Sequence, residues 1–419
     1  MTPTIKRLST SPEASLGHPF IQRTLSALAF RDFRILWLGA FASTIGTWMQ
    51  KVAQSWLVFD LTKSSFFLGL DDFLGQLPIL LFTVLGGVIA DRHDRRRLLI
   101  GSQYVQMTTA FVLAALVWTG YVEIIHILLL STLTGFAQAF GGPAYQSLIP
   151  TLVPRQHLPN AIALNSIQFN MSRIFGALLA GAALAAFGAA ICFVLNGLSF
   201  IVVIVALLAL SVTHIPPVER KPLLQEMHGG FSHVKRDPSL IALTTVAFAT
   251  TFLGLPVLTF LPAVATNVFG GDMGLYSRMM AFSGAGSVCG ALLVAWLGRF
   301  RHMGRTLLLV QILFGGLVAA FAMSRVLWLS ELLLFFCGIA SMIVTAMTTS
   351  LVQLIVPDHL RGRVVSIYMV AFRGGMPLGS LISGYVATLT GVPVVLAVNG
   401  ALVSLVAVYF LSRKGVREL

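Results

Sequence analysis

Long apolar stretches constrain the fold of this sequence more than any other feature. They fall at 33–59, 66–90, 98–119, 124–147, 160–187, 190–213, 239–265, 274–298, 305–325, 328–352, 363–389 and 393–412. Each can form a helix of about 20 residues, which is enough to cross a hydrocarbon core of about 30 Å. Only 10% of the residues are charged, against about a quarter in soluble domains. Because backbone groups in lipid must bond within their own segment, we predict an all-α polytopic membrane protein with 12 transmembrane helices, one for each stretch.

The positions of the 28 lysines and arginines support this count of spans. If the N-terminus is cytoplasmic, 22 of them fall on the inner side, three on the outer side and three within spans. This bias is the one expected when both termini are cytoplasmic, and we expect a multi-pass protein of a bacterial inner membrane. It also explains the net charge of +13 without nucleic acid as a partner.

The longest polar interruption lies midway along the chain and predicts a division into two bundles. The expected order is a cytoplasmic segment at 1–32, a six-helix bundle at 33–213, a cytoplasmic linker at 214–238, a second six-helix bundle at 239–412 and a cytoplasmic tail at 413–419. An offset of 203 residues matches Val153-Pro154 with Val356-Pro357 and Asn196-Gly197 with Asn399-Gly400. Spans four to six therefore recur as spans ten to twelve, which predicts two pseudo-symmetric bundles.

The connection between spans two and three carries the most distinctive motif, which runs from Gly86 to Arg97. A generic basic loop would explain its arginines but neither Gly87 nor Asp91 at these spacings. We expect Gly87 to let a neighbouring helix approach closely and Asp91 to end span two at the interface. The arginines Arg92, Arg95 and Arg96 are expected to anchor the loop at the cytoplasmic face.

This motif resembles the loop-two/three motif of the major facilitator superfamily. Asp94 replaces the family's usual glycine, as in the branch of enterobactin exporters and macrolide efflux pumps. Further matches are Gly46-Thr47-Trp48-Met49-Gln50, Arg361-Gly362-Arg363-Val364 and Pro377-Leu378-Gly379. The resemblance implies a conformational switch in which Asp91 lies near Arg363, at the start of span eleven. It also implies proton antiport, although Ala177 replaces the proline of the family's antiporter motif in span five.

Three charged residues at similar depth in spans one and two are candidates for proton coupling. A charge at the bilayer centre costs about 2.5–3.5 kcal/mol, so it usually faces a cavity or a partner. We expect Lys51 to pair with either Asp71 or Asp72. The other carboxylate could then exchange protons, because a neighbouring like charge and desolvation both favour the protonated acid. The alternative is that both aspartates extend to the outer interface.

Other polar residues within spans are candidates for a substrate cavity. Arg173 and Arg373 lie in the repeat-related spans five and eleven, where a guanidinium could bind an anionic or carbonyl-rich substrate bidentately. Structural pairing is the alternative for both arginines. The remaining candidates are Trp48, Gln50, Gln54, Gln76, Gln168 and Asn170. Interhelical hydrogen bonds are an equally good explanation of the amides.

Enzyme motifs and cofactor motifs are missing from the sequence. It has no phosphate-binding loop for ATP, and its three cysteines lie inside apolar stretches without metal-site spacing. We therefore expect no enzyme activity, no cofactor and no metal. The expected function is secondary active export of a small amphipathic or chelating molecule, a siderophore or drug, by a monomer that exchanges it for protons across the lipid bilayer. Import of an organic nutrient by symport or uniport, a lipid flippase on the same fold and a non-transporting sensor remain alternatives.

Overall fold

Helices and no strands make up the described part of the computed structural model, which covers residues 26–211, 237–298, 300–357, 361–413 and 415–419. The long helices are α1 (Arg31–Thr62), α2 (Ser65–Arg92), α3 (Arg95–Thr119), α4 (Ile124–Leu152), α5 (Leu158–Phe187), α6 (Ala189–Leu208), α7 (an interrupted run over 238–267), α8 (Met273–Leu297), α9 (Met303–Met323), α10 (Leu327–Ile355), α11 (Arg361–Thr390) and α12 (Val392–Leu411). Each coincides with one predicted stretch. Most of the predicted segment 1–32 and of the predicted linker 214–238 lies outside the described residues.

The helical run α7 is interrupted, which the apolar pattern alone did not predict. It consists of an α-helix at Pro238–Ala249, a π-helical turn at Thr250–Gly254 and two short α-helices at Pro256–Thr259 and Leu261–Asn267. Pro256 and Pro262 lack the backbone N–H that an uninterrupted helix would bond. Pro256 is the first residue of one short segment and Pro262 the second residue of the other. Irregular backbone at membrane depth is tolerated where protein or a cavity surrounds it.

Ten helical runs of the described residues are long and apolar enough to cross a membrane, and α1 and α11 are not among them. Both carry polar side chains towards the interior of the molecule, including Lys51 and Gln54 on α1 and Arg373 on α11. The mean hydropathy of the two helices is low because they carry the polar side chains that line a cavity. Their length and their packing among the other helices still make them part of the same twelve-helix bundle.

Packing confirms the internal repeat. Gly181 of α5 meets Ser277 of α8, and its repeat partner Gly384 of α11 meets Ser65 of α2. The two bundles thus contact each other through α5–α8 and α2–α11, which are equivalent pairs under the repeat. Two further repeat-related glycines, Gly188 and Gly391, end α5 and α11 with φ of 80° and 87°. Such left-handed backbone favours glycine, so the repeat has a conformational cause there.

The two ends of the molecule are packed differently. We call the end that carries Arg92 and Arg95 the basic end, and the end that carries Thr62 and Ser65 the closed end. At the closed end one continuous apolar cluster joins both bundles. Trp56 of α1 stacks there on the fully buried Tyr276 of α8 with ring centroids 6.3 Å apart.

At the basic end the apolar residues form two separate clusters. One contains residues of the first bundle, such as Leu148 and Leu207, and the other contains residues of the second, such as Leu307 and Val344. The bundles are therefore joined at the closed end and parted at the basic end. Because each bundle keeps its own core at the basic end, this end can open without exposing the interior of either bundle.

The close helix approach at Gly338 provides a test of the packing. A Cβ atom at Gly338 of α10 would meet the backbone of Ser283 and lie 2.9 Å from the Ser287 nitrogen of α8. We expect Gly338→Val to destabilise the protein by about 1–3 kcal/mol through overpacking. The matched control is Gly101→Val on α3, where nothing lies within 4 Å of the added atom. Thermal unfolding in detergent, followed by size-exclusion chromatography, should show a lower midpoint for the first variant only, and equal midpoints would contradict the α8–α10 contact.

Candidate functional site

A cavity of about 2340 Å³ lies between the two bundles. Its lining includes Arg92 and Leu99 near the basic end, and it extends to Leu68 and Thr259 near the closed end. The predicted cavity and proton-coupling residues that line it are Trp48, Gln50, Lys51, Gln54, Asp71, Asp72, Gln76, Gln168, Asn170, Arg173 and Arg373. The structure thus brings these candidates to one space, and the two aspartates lie on its wall rather than on the outer surface.

Asp71 accepts hydrogen bonds from neutral side chains on two other helices. Ser131 of α4 donates to Asp71 Oδ1 at 2.5 Å. Gln54 of α1 donates to Asp71 Oδ1 at 3.0 Å and to Oδ2 at 2.9 Å, and its Nε2 also lies 2.8 Å from Ser131 Oγ. Among the ion pairs of the described residues, none includes Asp71.

Asp72 has a different set of partners. Lys51 Nζ lies 3.4 Å from Asp72 Oδ1, and Gln76 Nε2 lies 3.3 Å from the same oxygen. Ser380 of α11 donates to Asp72 Oδ2 at 3.0 Å, and Thr259 of α7 lies 3.1 Å from the Ser380 hydroxyl. The Asp72 side chain is only 7% exposed. It therefore joins a cation of its own bundle to a hydroxyl of the other bundle.

Trp48 forms part of the cavity wall between two cationic side chains. The Lys51 Nζ lies 5.7 Å and the Arg173 Cζ 5.9 Å from the centroid of the Trp48 ring. Phe169 packs edge-on against the same ring at 5.8 Å. Since a cation is attracted to an aromatic face at this distance, Trp48 holds both cations near the cavity.

Arg173 lines the cavity with part of its bonding capacity unused. Its Nε and Nη2 atoms are buried, and neither has a hydrogen-bond partner among the described residues. No carboxylate of these residues forms an ion pair with Arg173 or Arg373. Buried polar groups without a partner are rare and call for an explanation.

Three amide candidates at the cavity wall, Gln50, Gln168 and Asn170, have hydrogen-bond partners within the protein. Asn196 of α6 donates to Gln50 Oε1 at 2.7 Å, and the buried Gln168 donates to the Ala40 carbonyl at 3.2 Å. Asn170 donates to the Ser166 carbonyl of its own helix at 2.9 Å. The interhelical hydrogen bonds that sequence analysis gave as the alternative are thus present for Gln50 and Gln168, whereas Asn170 bonds within its own helix.

Sequence analysis missed Ser131, Thr259 and Ser380. Hydroxyl residues in membrane helices commonly bond the carbonyl of the preceding turn, so a serine or threonine in an apolar span carries little information by itself. Ser131 and Ser380 became recognisable only when the fold placed them against Asp71 and Asp72. A depth comparison across all twelve spans could have suggested them.

The motif between α2 and α3 is only partly described, since the side chains of Asp91 and Arg363 lie outside the described part of the structure. Arg95 donates to the Ser147 carbonyl at 3.1 Å and Arg96 to the Leu208 carbonyl at 2.6 Å, so both anchor the loop to neighbouring helices. Asp94 caps α3 by accepting from the backbone nitrogens of Arg96 and Arg97. This helix cap gives a physical reason for the aspartate that replaces the family's usual glycine.

The close approach predicted at Gly87 is not present in this conformation. A Cβ atom at Gly87 would meet nothing within 4 Å, and the residue lines the cavity. The preceding Gly86 instead packs against the Ala139 backbone of α4. The reason is that the bundles part at the basic end, so Gly87 faces open space rather than a helix.

Comparison with known proteins supports the same fold and class. The staphyloferrin A transporter of Staphylococcus aureus is 26% identical over 90% of this chain and 95% of its own length. Macrolide efflux protein A of Streptococcus pyogenes is 24% identical over 90% of this chain and 94% of its own. The solved structure of a bacterial homologue of the human lysosomal transporter Spinster, in an inward-facing and unoccupied conformation, superposes with a TM-score of 0.70 at 16% identity, over 94% of this chain and 97% of the other.

The family model described as transmembrane secretion effector matches residues 22–418. This match covers almost the whole chain and confirms the resemblance drawn from the motif between α2 and α3. The protein therefore belongs to the transmembrane secretion effector family, an efflux-like branch of the major facilitator superfamily, and is a multi-pass membrane transporter rather than an enzyme.

Proposed function

We propose that this transporter exports a small amphipathic or chelating molecule, a siderophore or drug, in exchange for protons that bind at Asp71. The observation that carries the proposal is that two adjacent carboxylates on the cavity wall have different partners. Asp72 is paired with Lys51, whereas the hydrogen bonds to Asp71 among the described residues come from the neutral side chains of Gln54 and Ser131. Pairs of titratable groups in such different surroundings commonly divide their roles.

The partners of Asp71 suit a group that changes its protonation state. The hydroxyl of Ser131 and the amide of Gln54 can each donate or accept a hydrogen bond. They can therefore bond the ionised carboxylate and, after reorienting, the protonated acid. Asp72 also bonds a hydroxyl and an amide, but the ammonium of Lys51 can only donate, so protonation of Asp72 would lose its ion pair. Asp71 is thus the better candidate for the proton site, and Asp72 serves as a fixed anion.

Asp72 links this site to the opening of the closed end. Its hydrogen bond from Ser380 connects α2 to α11, one of the two helix pairs through which the bundles meet. Opening the closed end separates these helices and breaks the bond. We propose that proton exchange at Asp71 changes the field at Asp72 and so changes the strength of this connection.

The proposed direction is export, which requires the cavity to take up its substrate from the cytoplasm. With the basic end at the cytoplasm, as the distribution of lysine and arginine indicates, the cavity collects its substrate from the cytoplasm in this conformation. Entry of a proton through 100 mV releases about 2.3 kcal/mol for uphill export. Two relatives, a staphyloferrin A transporter and a macrolide efflux protein, favour siderophores and drugs as substrates. We further propose that the protein acts as a monomer in the bacterial inner membrane, with both termini cytoplasmic.

The proposed orientation can be tested with single cysteines in a variant that lacks Cys192, Cys289 and Cys337. Tyr121, between α3 and α4, is 76% exposed, and His93 is exposed between α2 and α3. We expect a membrane-impermeant maleimide to label Tyr121→Cys in intact spheroplasts and His93→Cys only after permeabilisation. Labelling in the reverse pattern would place the basic end outside and overturn the proposed direction.

Export and its dependence on Asp71 can be tested in a siderophore-producing strain that lacks its drug pumps. Expression of the wild-type protein should increase siderophore in the medium or tolerance to toxic drugs. Asp71→Asn should abolish the gain, because the amide cannot exchange a proton, while the control Asp60→Asn at the exposed end of α1 should retain it. In proteoliposomes, a pH gradient should drive transport by the wild type and not by Asp71→Asn. Full coupling in Asp71→Asn would exclude Asp71 as the proton site.

The connection between Asp72 and Ser380 predicts a shift in conformational populations. Loss of one hydrogen bond to a charged group costs about 1.5–3 kcal/mol, which changes a two-state equilibrium by about tenfold or more. Ser380→Ala should therefore increase the population of molecules in which the two bundles have separated at the closed end. The distribution of distances between spin labels at Ser64 and Leu389 would measure this population. Thr388→Ala on the same helix is the control, since the Thr388 hydroxyl donates to the Tyr385 carbonyl of its own helix, α11. An unchanged distance distribution in Ser380→Ala would remove this connection from the proposed mechanism.

A further inference from the structure

Charge in the deep part of the cavity is unbalanced. Lys51 is paired with Asp72, and Arg92 lies near the basic end. The remaining charged side chains among the described lining residues are Arg173, Arg373 and Asp71. Two positive guanidinium groups thus remain for a single carboxylate. That carboxylate accepts hydrogen bonds from Gln54 and Ser131 rather than from an arginine.

Arg173 has the bonding geometry for an anion on an edge that is closed to solvent in this conformation, so a ligand reaches it only when adjacent side chains move. The two nitrogens without a partner, Nε and Nη2, belong to the same edge of the guanidinium. This edge carries two parallel N–H groups and matches the two oxygens of a carboxylate. Leaving a buried charge without a partner is costly, so the position is explained best by a ligand that supplies the missing acceptors during transport.

The surroundings of Arg173 indicate the rest of the ligand. The centroid of the Trp48 ring lies 5.9 Å from Arg173 Cζ. Phe169 is half exposed, packs edge-on against Trp48 and lines the same cavity. An aromatic pair at the cavity wall offers apolar surface and ring edges next to the cation. The neighbouring ammonium of Lys51 lies 5.7 Å from the Trp48 ring and adds positive potential.

We propose that Arg173, with Trp48 and Phe169, forms a subsite for an organic carboxylate that carries an aromatic or other planar apolar group. The inference rests on the proposed function in that the cavity carries the exported molecule, and it narrows the substrate class to carboxylate-bearing amphiphiles. The guanidinium of Arg173 binds the carboxylate through its Nε and Nη2 edge, and the aromatic side chains contact the planar group. Neutral or cationic analogues of the same shape lack the acceptor that the subsite requires.

A matched pair of probes, 1-naphthoate and 1-naphthamide, tests the subsite because the two share a ring system and differ in charge. Binding to the purified full-length protein in nanodiscs would be followed by quenching of tryptophan fluorescence. We expect 1-naphthoate to bind about tenfold more tightly than 1-naphthamide, which is the change that one good charge-assisted contact provides. Binding of the carboxylate should also weaken as salt is added, whereas binding of the amide should not.

The variants separate recognition of the anion from general damage to the protein. Arg173→Gln should reduce the affinity for 1-naphthoate to that for 1-naphthamide and leave the amide unchanged. Arg173→Lys should lie in between, because an ammonium keeps the charge but loses the parallel N–H pair. Arg325→Gln, at an exposed position between α9 and α10, should bind both probes as the wild type does.

The outcomes also distinguish this subsite from the proposed proton coupling. Equal affinity of the wild type for the two probes, or unchanged discrimination in Arg173→Gln, would overturn the carboxylate subsite even if pH-driven export remained intact. Conversely, discrimination that depends on Arg173 would support the subsite even if transport proved independent of the pH gradient. Loss of 1-naphthamide binding in Arg173→Gln would also count against the subsite, because it would mean that Arg173 supports the cavity wall rather than the anion.

Discussion

The apolar contact between the two bundles at the closed end determines the rest of this structure. One continuous cluster joins residues of both bundles there, including the stacked pair Trp56 and Tyr276, while the basic end has two separate cores. Because the bundles meet at one end only, the space between them is a cavity with a mouth and an inner end. The ionisable residues of α1 and α2 lie near that inner end, where water can reach them from the mouth and where the two bundles are close enough to bond.

Two adjacent aspartates acquire different chemistry from this arrangement. Asp72 has a cation that can only donate and a hydroxyl from the opposite bundle, so its surroundings favour a fixed negative charge. Asp71 has a hydroxyl and an amide, each of which can donate or accept, so its surroundings can follow a change in protonation. The division depends on which helix faces each side chain of α2. Consecutive residues on a helix point about 100° apart, and here one points to α4 and the other to α11.

The sequence predicted the fold because lipid imposes a strong constraint on it. Twelve apolar stretches and the repeat of 203 residues could be converted directly into helices and bundles. A pairing of Lys51 with one aspartate was also within reach, since the cost of a lone charge in lipid demands a partner. The partners Ser131 and Ser380 were not, because they belong to helices distant in sequence and their hydroxyls have ordinary roles elsewhere. The interruption of α7 was missed because the apolar pattern continues through it.

The surroundings of Gly87 indicate a role in another conformation of the transporter. The residue lines the cavity without a neighbour, whereas Gly86 beside it is packed against α4. Near the basic end, α11 contributes Val365 and Met369 to the same cavity. The repeat makes α2–α11 and α5–α8 the contacts that hold the closed end, and alternating access requires equivalent contacts at the basic end when the closed end opens. A glycine that faces open space beside α11 is suited to receive that helix in the alternate state, since it has no side chain to keep the two backbones apart. One role therefore explains both the open space next to Gly87 in this conformation and the presence of a glycine in the motif. That role is a helix contact that forms only when the cavity closes at the basic end.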